Sequence, residues 1–580
     1  MKNNTILRNS AVKSTRFSLS FIFCISRKME GSVWMSENSQ QAMEFNYSKR
    51  QMLFGIISMF AAYSSMAYAA QALGIARPKI AAELDGMALY HWAVSIPALF
   101  SAFATLIFGK FSDMYGRRIM LMITMAISFV GTVLCAVSIN FTFLIVASVI
   151  AAIGSGAIMT LTFSVVGDLF PPEKRGKWIG LLNVPVGVFA LIGPTLGGWF
   201  VDNPALGWRW LYWISLPLLA ICLLTTPIGV PSIRSATHGK IDIKGCVLVA
   251  IASAATIIGL SFAGDRYAWG SWQIISFMLV AMIFWVLFIR SENHAEEPIL
   301  DPRVFRNRSF LTVSVSSLLA GFGQMGMLMY FIMFLQGVQL NNDFENFLEP
   351  IGRALGFSVG HTTISGIIIT PMSVVMAFIS VPVGFMMGRS KNFKWMYIVS
   401  YGILTVVMFC VILLGSESSQ WLSVAAAAMA GIGMGALPPL NTMVVQTAVP
   451  QKLLGVSMGA FFFCMLLGSA ISPAVLGSTM NSTYNSTLTA SMPDELKTGD
   501  FMESIGNPRV LLDQNAMDNL EADFAAKGQA ALFPRTVNAI RDSLASGVRG
   551  VFWICVVTTL LAFILICTLP VKKTTEIRNE

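Results

Sequence analysis

Fourteen apolar runs, separated by polar turns, constrain this chain more than any other feature of its sequence. An α-helix rises about 1.5 Å per residue, so about 20 apolar residues are needed to cross the hydrocarbon core of a bilayer. The runs therefore predict an all-α integral membrane protein with about 14 transmembrane helices. They span residues 51–73, 88–108, 119–139, 141–166, 178–200, 210–230, 245–264, 271–289, 310–336, 362–388, 395–415, 420–447, 454–478 and 549–570.

The Lys and Arg residues between the runs predict the orientation. With the tail before the first run placed in the cytoplasm, 22 cations from residue 49 onward fall on that side and 11 on the other. Cytoplasmic loops carry an excess of Lys and Arg, so we expect both termini to be cytoplasmic, in the plasma or inner membrane. Because these cations lie in short turns beside lipid, the net charge of +9 indicates a lipid bilayer rather than nucleic acid as partner.

Two segments depart from this regular pattern. Residues 1–34 contain an apolar stretch, 17–25, but no small-residue cleavage site follows it, and we expect either a disordered tail or a translation start near Met35. Residues 481–547 precede the last run on the outer side, and we expect short amphipathic helices at 520–524 and 537–544. We interpret this long outer loop as a connector, with a lid or docking surface as the alternative.

The most charged turn is Gly109-Lys-Phe-Ser-Asp-Met-Tyr-Gly-Arg-Arg118, between the second and third runs. Its arginines are too polar to enter lipid and must stay at the cytoplasmic face. Asp113 is placed to accept hydrogen bonds from a neighbouring helix N-terminus or to pair with Arg117. Asp168, at the end of the fourth run, is a second candidate partner. Simple anchoring of the turn at the membrane face is the alternative interpretation.

This turn resembles the signature between spans 2 and 3 of the major facilitator superfamily. The fifth run carries Gly193-Pro-Thr-Leu-Gly-Gly198, which resembles the superfamily's antiporter motif. Together with Trp208-Arg-Trp-Leu-Tyr-Trp and Glu297-Pro-Ile-Leu-Asp-Pro, these motifs resemble the 14-span drug:proton antiporter family of the EmrB/QacA type. The resemblance extends from about residue 50 to 571.

The resemblance implies two six-helix bundles, at 50–233 and 309–571, joined by inserted helices 7 and 8 and a cytoplasmic linker at 234–308. Residues 1–49 and 572–580 would be cytoplasmic tails. It also implies a conformational latch that holds the halves together in the outward-facing state and an antiporter motif that bends and packs the fifth helix. The latch would comprise Gly109, Asp113, Gly116, Arg117, Arg118 and Asp168, and the antiporter motif Gly193, Pro194, Gly197 and Gly198.

The chain departs from the family at two positions. Ala69 replaces an acid in span 1, and Ile150 replaces the arginine that the family carries in span 4. Apart from Arg549, the first residue of the last run, no Asp, Glu, Lys or Arg lies inside any apolar run, so the titratable candidates, His91, Asp202, His361 and Asp168, all lie near span ends. A cation in a cavity of low dielectric needs a counter-ion, so we expect neutral, weakly polar or lipid-like substrates.

Uncharged polar residues inside the runs are the candidates for a substrate cavity, since such groups face the bundle or a wet cavity. Helix–helix hydrogen bonds are their alternative role. The candidates are Tyr63, Tyr68, Gln71, Gln324, Tyr330, Gln336, Asn441 and Gln446.

We therefore expect a secondary active transporter that exports lipophilic drugs or metabolites by alternating access, with a small lipophilic substrate and protons as its partners. The alternatives are an importer or facilitator of one metabolite on the same fold and a non-transporting receptor derived from it. The sequence shows no cluster of His, Cys or carboxylates that water could reach, so we expect no enzyme activity, no metal site and no cofactor. The oligomeric state stays open, and a monomer is compatible with the sequence.

Overall fold

The computed structural model describes residues 48–84, 90–202, 207–231, 242–263, 267–295, 302–339, 361–389, 393–449, 453–492 and 532–569, with isolated positions between 343 and 350 and between 501 and 524. The two expected terminal tails and most of the linker after the sixth run lie outside the described residues.

Fourteen long helices lie in the described residues, and we label them α1 to α14 in chain order. The first seven are α1 (Lys49–Tyr68, continued by a π-helical segment, Ala69–Leu73, and by Gly74–Glu83), α2 (Tyr90–Tyr115), α3 (Arg117–Ala136), α4 (Phe141–Leu169), α5 (Pro172–Leu182 and Val184–Asp202), α6 (Arg209–Gly229) and α7 (Ile243–Phe262). The others are α8 (Trp272–Glu292), α9 (Arg308–Met325, a π-helical segment, Gly326–Phe331, and Ile332–Gly337), α10 (His361–Arg389), α11 (Lys394–Leu413), α12 (Gln420–Ala448), α13 (Leu454–Ser491) and α14 (Phe533–Cys567).

Each apolar run coincides with one of these helices. Within the described residues, 12 helices are long and apolar enough to cross a membrane by length and composition. Helices α2 and α7 cover the other two runs. The all-α membrane fold that the sequence predicts is thereby confirmed.

Helices α13 and α14 extend far beyond the runs from which they were predicted. They contain 38 and 35 residues, which makes them about 57 and 52 Å long at about 1.5 Å per residue, against a hydrocarbon core of about 30 Å. The expected outer loop 481–547 is therefore too long, because its first 11 and last 15 residues continue the two helices. The predicted amphipathic helix 537–544 is part of α14, whose polar residues outside the membrane conceal its true start from a hydropathy pattern.

Described positions between these two helices pack against their ends. The Tyr484 hydroxyl on α13 donates to the Ile505 carbonyl at 2.8 Å. Ile505 and Phe524 are buried, and the Phe524 ring contacts Phe533 at the start of α14. These contacts fit a packed connector between α13 and α14.

The helices pack in two groups. Helices α1 to α6 contact one another, and so do α9 to α14, while α7 and α8 pair together and pack through α7 against α2 and α13. The groups meet most extensively where α2 packs on α13 and α5 packs on α10, and α4 with α13 and α5 with α12 also contact each other. Helix α8 is mostly exposed, with Trp272, Met282 and Ile289 all more than half exposed. Such apolar exposure is expected where lipid is the solvent.

Two π-helical segments occupy equivalent places in the two groups. One begins 20 residues after the start of α1 and the other 18 residues after the start of α9. A π-helical segment leaves backbone groups irregularly paired and is often found at functional sites. The shared position agrees with the internal repeat on which the sequence expectation of two bundles rests.

Candidate functional site

A single glycine forms the turn between α2 and α3. Gly116 has a φ of +93° and a ψ of +138°, a conformation that residues with a Cβ rarely adopt. The tight turn lets α2 end at Tyr115 and α3 begin at Arg117. It brings the guanidinium of Arg117 back to the carboxylate of Asp113, with Nη2 and Oδ1 3.2 Å apart. Gly116 therefore holds the two charged groups in contact.

The Asp113 carboxylate binds the N-terminus of a helix in the other group. Its Oδ1 accepts from the backbone N–H of Gly455 at 3.0 Å, and its Oδ2 accepts from that of Val456 at 2.9 Å. Both residues lie in the first turn of α13, where free N–H groups and the helix dipole favour a negative charge. Asp113 thus links α2 directly to α13.

Arg117 is the centre of a buried cluster. It forms an ion pair with Asp168 on α4, as well as with Asp113, and its Nη1 donates to the Ser164 carbonyl at 3.2 Å. Arg117 and Asp168 are only 7% and 4% exposed, so charge pairing and hydrogen bonds are needed to offset the loss of water. We call Asp113, Arg117, Asp168, Gly455 and Val456 the latch cluster.

Burial raises the pKa of the Asp113 carboxyl above its ordinary value. The charge of Arg117 and the N–H groups of Val456 and Gly455 act in the opposite direction. Desolvation is the larger effect because the group is enclosed between helices and disfavours the charged form. A raised pKa brings the titration of Asp113 nearer to physiological pH.

Glycines allow the two backbones to touch beside the cluster. A Cβ on Gly109 would lie 2.8 Å from the Gly455 carbonyl oxygen, and a Cβ on Gly455 would lie 2.5 Å from that of Gly109. Neither position accepts a larger side chain without separating α2 from α13. Arg118 is half-buried and makes no hydrogen bond or ion pair with any described residue, so it lies outside the latch cluster.

Three aromatic rings in mutual contact lie farther into the membrane than the cluster. Phe163 on α4 stacks on Phe462 of α13 with ring centroids 5.5 Å apart, and Tyr63 of α1 meets Phe163 edge-on at 5.7 Å. Phe163 precedes Asp168 by five residues, or about 7.5 Å along the helix. All three rings are buried. This aromatic layer and the latch cluster close the space between the groups at this end.

Gln446 belongs to this closed end. Its Nε2 donates to the Phe163 carbonyl at 2.9 Å, across the interface between α12 and α4. The Leu454 side chain fits against Gly167 beside it, where a Cβ would come within 2.6 Å. Gln446, which the sequence suggested for a substrate cavity, therefore lies in the contact between the two groups. Its partner is 283 residues away in sequence, so no local pattern could have indicated the bond.

Several other polar candidates form ties within a group. The Tyr68 hydroxyl on α1 donates to the Leu211 carbonyl on α6 at 2.9 Å. Asn441 accepts from the Tyr397 hydroxyl and donates to the Ser317 hydroxyl, both at 3.0 Å. These hydrogen bonds occupy the polar atoms of Tyr68 and Asn441. They correspond to the alternative role that the sequence left open.

The remaining candidates lie on or beside the π-helical segments. Gln71 is half-buried in the first segment and Tyr330 is buried in the second. The Tyr63 hydroxyl points to Asn183, its acceptor at 3.4 Å, at the break in α5. Gln324 and Gln336 are half-buried on either side of the second segment.

The antiporter motif lies in the second part of α5. A Cβ on Gly193 would lie 2.7 Å from the Cβ of Gln71, so this glycine lets α5 approach the π-helical segment of α1 closely. Pro194, Gly197 and Gly198 lie in the same helix, Val184–Asp202. The surroundings of their side chains lie outside the described residues, as do those of His91, Asp202 and His361.

One feature of the structure was missed at the sequence level. A cavity of about 240 Å³ opens among α1, α2, α3, α4 and α6, and Arg77 lines it. The first apolar run ends at residue 73, so hydropathy gave no reason to place Arg77 on the first helix. In the structure the π-helical segment continues into Gly74–Glu83, and Arg77 remains on the helix.

Comparison with known proteins agrees with this architecture. The family model described as Major Facilitator Superfamily matches residues 54–243 and 245–473. The Multidrug transporter protein MdtP of Bacillus subtilis is 28% identical over 522 residues, which cover 89% of this chain and 92% of that protein. Multidrug resistance protein 3 of Bacillus subtilis is 25% identical over 509 residues, covering 86% and 92%.

Solved structures show the same fold at low sequence identity. The proton:xylose symporter XylE, bound to 6-bromo-6-deoxy-D-glucose, matches with a TM-score of 0.50 and 12% identity, over 91% of this chain and 98% of that one. The human organic anion transporter MFSD10 matches with a TM-score of 0.50 and 14% identity, over 89% and 99%.

Proposed function

The chain belongs to the major facilitator superfamily, and we propose that this transporter exports small lipophilic compounds by alternating access between two six-helix halves. The observation that carries the proposal is the latch cluster, in which Asp113 of one half binds the N-terminus of α13 in the other. In this proposal, residues 50–233 and 309–571 are the moving halves, and α7 and α8 are an insertion between them.

The direction of transport is inferred from relatives and from α5. Relatives that cover most of this chain are named for multidrug transport and multidrug resistance. The Gly193 contact with Gln71 packs the antiporter motif against an irregular part of α1, where a helix can change shape at low cost. Both observations favour export over import.

The latch cluster closes one end of the path, which we assign to the cytoplasmic side of a plasma or inner membrane. The structure would then represent the outward-facing conformation, and both termini would lie in the cytoplasm. Opening toward the cytoplasm requires the Asp113 carboxylate to leave the N–H groups of α13 and the rings of Phe163 and Phe462 to separate. Each cycle of transport would break and remake these contacts.

We further propose that the proton gradient drives this cycle through the latch cluster. Two carboxylates, Asp113 and Asp168, converge on Arg117. Burial raises the pKa of Asp113, which makes its protonation easier than that of an exposed carboxylate. A protonated carboxyl accepts hydrogen bonds from the N–H groups of α13 more weakly than a carboxylate does, because it carries no charge. Proton uptake would therefore release the latch.

Dye efflux from cells tests the proposed function. Cells that express the transporter are loaded with a neutral lipophilic dye such as Nile red, and efflux is followed after energy is restored. We expect faster efflux than in control cells, and loss of that gain with Asp113→Asn at equal expression. Asp542→Asn, at an exposed position on α14, is the matched control and should behave as wild type. Efflux no faster than in control cells would refute export of such compounds.

A further inference from the structure

The cavity at the end of the first half opposite the latch cluster has the features of a binding site for an anion. Its lining comes from five helices of the first half, and no described residue of the second half contributes. At about 30 Å³ per molecule, a volume of about 240 Å³ would hold roughly eight waters. It is therefore large enough for a small organic molecule and lies apart from the contacts that join the two halves.

Arg77 supplies the charge of this cavity. Its side chain is exposed, and it makes no hydrogen bond or ion pair with any described residue. It lies within electrostatic reach of the Cys135 thiol and the Tyr212 hydroxyl, which also line the cavity. The described lining contains no acidic side chain. A guanidinium without a partner beside a cavity that has no acidic side chain in its described lining attracts an anion and can bind it with two parallel hydrogen bonds.

Two buried hydroxyls without a described hydrogen-bond partner belong to the polar part of the lining, beside further Ser and Thr residues. Tyr212 is 7% exposed and Ser128 is 4% exposed, and neither hydroxyl has a hydrogen-bond partner among the described residues. By contrast, the hydroxyls of Thr132 and Ser215 on the same walls donate to carbonyls of their own helices. Tyr212 and Ser128 therefore present free donors to the cavity.

About half of the lining residues are apolar. Met66, Leu73 and Leu219 present side chains to the cavity, and Ala151 and Ala152 of α4 form its floor with little bulk. A ligand that matched these walls would combine one anionic group with a compact apolar body. An inorganic anion would leave the apolar walls unused.

We propose that this cavity binds small amphiphilic organic acids, with the carboxylate paired to Arg77 and hydrogen-bonded by Tyr212 and Ser128. The inference rests on the proposed export function and deepens it, since it adds acidic compounds to the neutral ones expected from the sequence. The cavity would accept the acid from the outer leaflet or the outer solution, at the end of α1 that we assign to the outside.

Direct binding to the purified full chain tests the proposal without a transport step. The probes are 4-phenylbutyrate and its neutral amide, titrated calorimetrically into protein in phosphatidylcholine nanodiscs. We expect wild type to bind the acid at least tenfold more tightly than the amide. Arg77→Gln should remove this preference, and Tyr212→Phe should weaken acid binding about threefold. Arg549→Gln, at an exposed position on α14, is the matched control and should retain the preference.

Equal affinity of Arg77→Gln and wild type for the acid would overturn the proposal. A lipid head group is the other source of the same chemistry, so the titration is repeated with phosphatidylglycerol in the nanodiscs. If wild type no longer binds the acid in phosphatidylglycerol nanodiscs, and this loss depends on Arg77, the cavity binds an anionic lipid. That result would refute the proposal that its ligand is a soluble acid. Nile red efflux by the wild type, measured in parallel, distinguishes the two proposals, because export of the neutral dye does not depend on whether the acid binds.

Discussion

Asp113→Asn should open the closed end of the transporter while leaving its fold intact. The asparagine keeps one carbonyl oxygen, so it can accept from either Gly455 or Val456 but not both, and its amide N–H₂ group would face the other N–H. The change removes one charge-assisted hydrogen bond, about 1.5–3 kcal/mol, and the attraction of a charge to a helix N-terminus, about 0.3–1 kcal/mol. The loss is therefore about 2–4 kcal/mol.

This loss sets the expected shift in population. Since 1.4 kcal/mol corresponds to about tenfold, the ratio of closed to open forms at this end should fall roughly 30- to 1,000-fold. The shift would be smaller if the open form of wild type also binds the carboxylate, because only the difference between the two states counts.

Thiol labelling measures the shift. Leu454 is 1% exposed at the interface between the halves, so Leu454→Cys in a cysteine-free background should react slowly with a maleimide while this end is closed. Where opening is fast compared with labelling, the rate is proportional to the open population. We expect Asp113→Asn to raise the rate at least 30-fold and Asp542→Asn to leave it unchanged. Equal rates in the three proteins would refute the latch.

Three further predictions concern the same helices. Gly109→Ala should raise the labelling rate of Leu454→Cys in the same way, because the added Cβ would lie 2.8 Å from a backbone oxygen of α13; an unchanged rate would show that α2 and α13 are not held this closely. An impermeant thiol reagent outside intact cells should label Ser486→Cys but not Tyr115→Cys, and the reverse pattern would invert the assigned orientation. Because burial raises the pKa of Asp113, and the charged form makes the latch, labelling of Leu454→Cys relative to the exposed Ser486→Cys at the same pH should speed up as pH falls through that pKa; the same relative pH dependence in Asp113→Asn would exclude Asp113 as its cause.

Hydropathy predicted the helices because each apolar run is long enough to cross the membrane, and lipid leaves few alternatives to a helix. It failed where helices leave the membrane. Helix α13 continues for 13 residues beyond the run that ends at 478, and α14 begins 16 residues before the run that starts at 549. Polar residues in these extensions keep them out of a hydropathy pattern. For the same reason the first apolar run ends at residue 73, although the helix continues through Arg77.

Local spacing indicated the chemistry of the latch turn but not its partners. Asp113 and Arg117 are four residues apart, so one helical turn and Gly116 suffice to bring them together. The hydrogen bond from the Gly455 N–H to Asp113 joins residues that are 342 apart in sequence. Only the packing of α2 against α13 brings them together. The polar candidates in the runs show the same limit, since sequence could not tell that Tyr68 and Asn441 hydrogen-bond to neighbouring helices.

Transport in proteoliposomes tests the export account most directly. Purified protein is reconstituted with Nile red and an imposed pH gradient, and dye redistribution is compared with protein-free vesicles and with Asp113→Asn. We expect the wild-type protein to move dye against its concentration gradient while the pH gradient lasts, and an uncoupler or Asp113→Asn to abolish the movement. Dye movement that equals that of protein-free vesicles, or that persists unchanged in Asp113→Asn, would contradict a proton-driven exporter gated by the latch cluster.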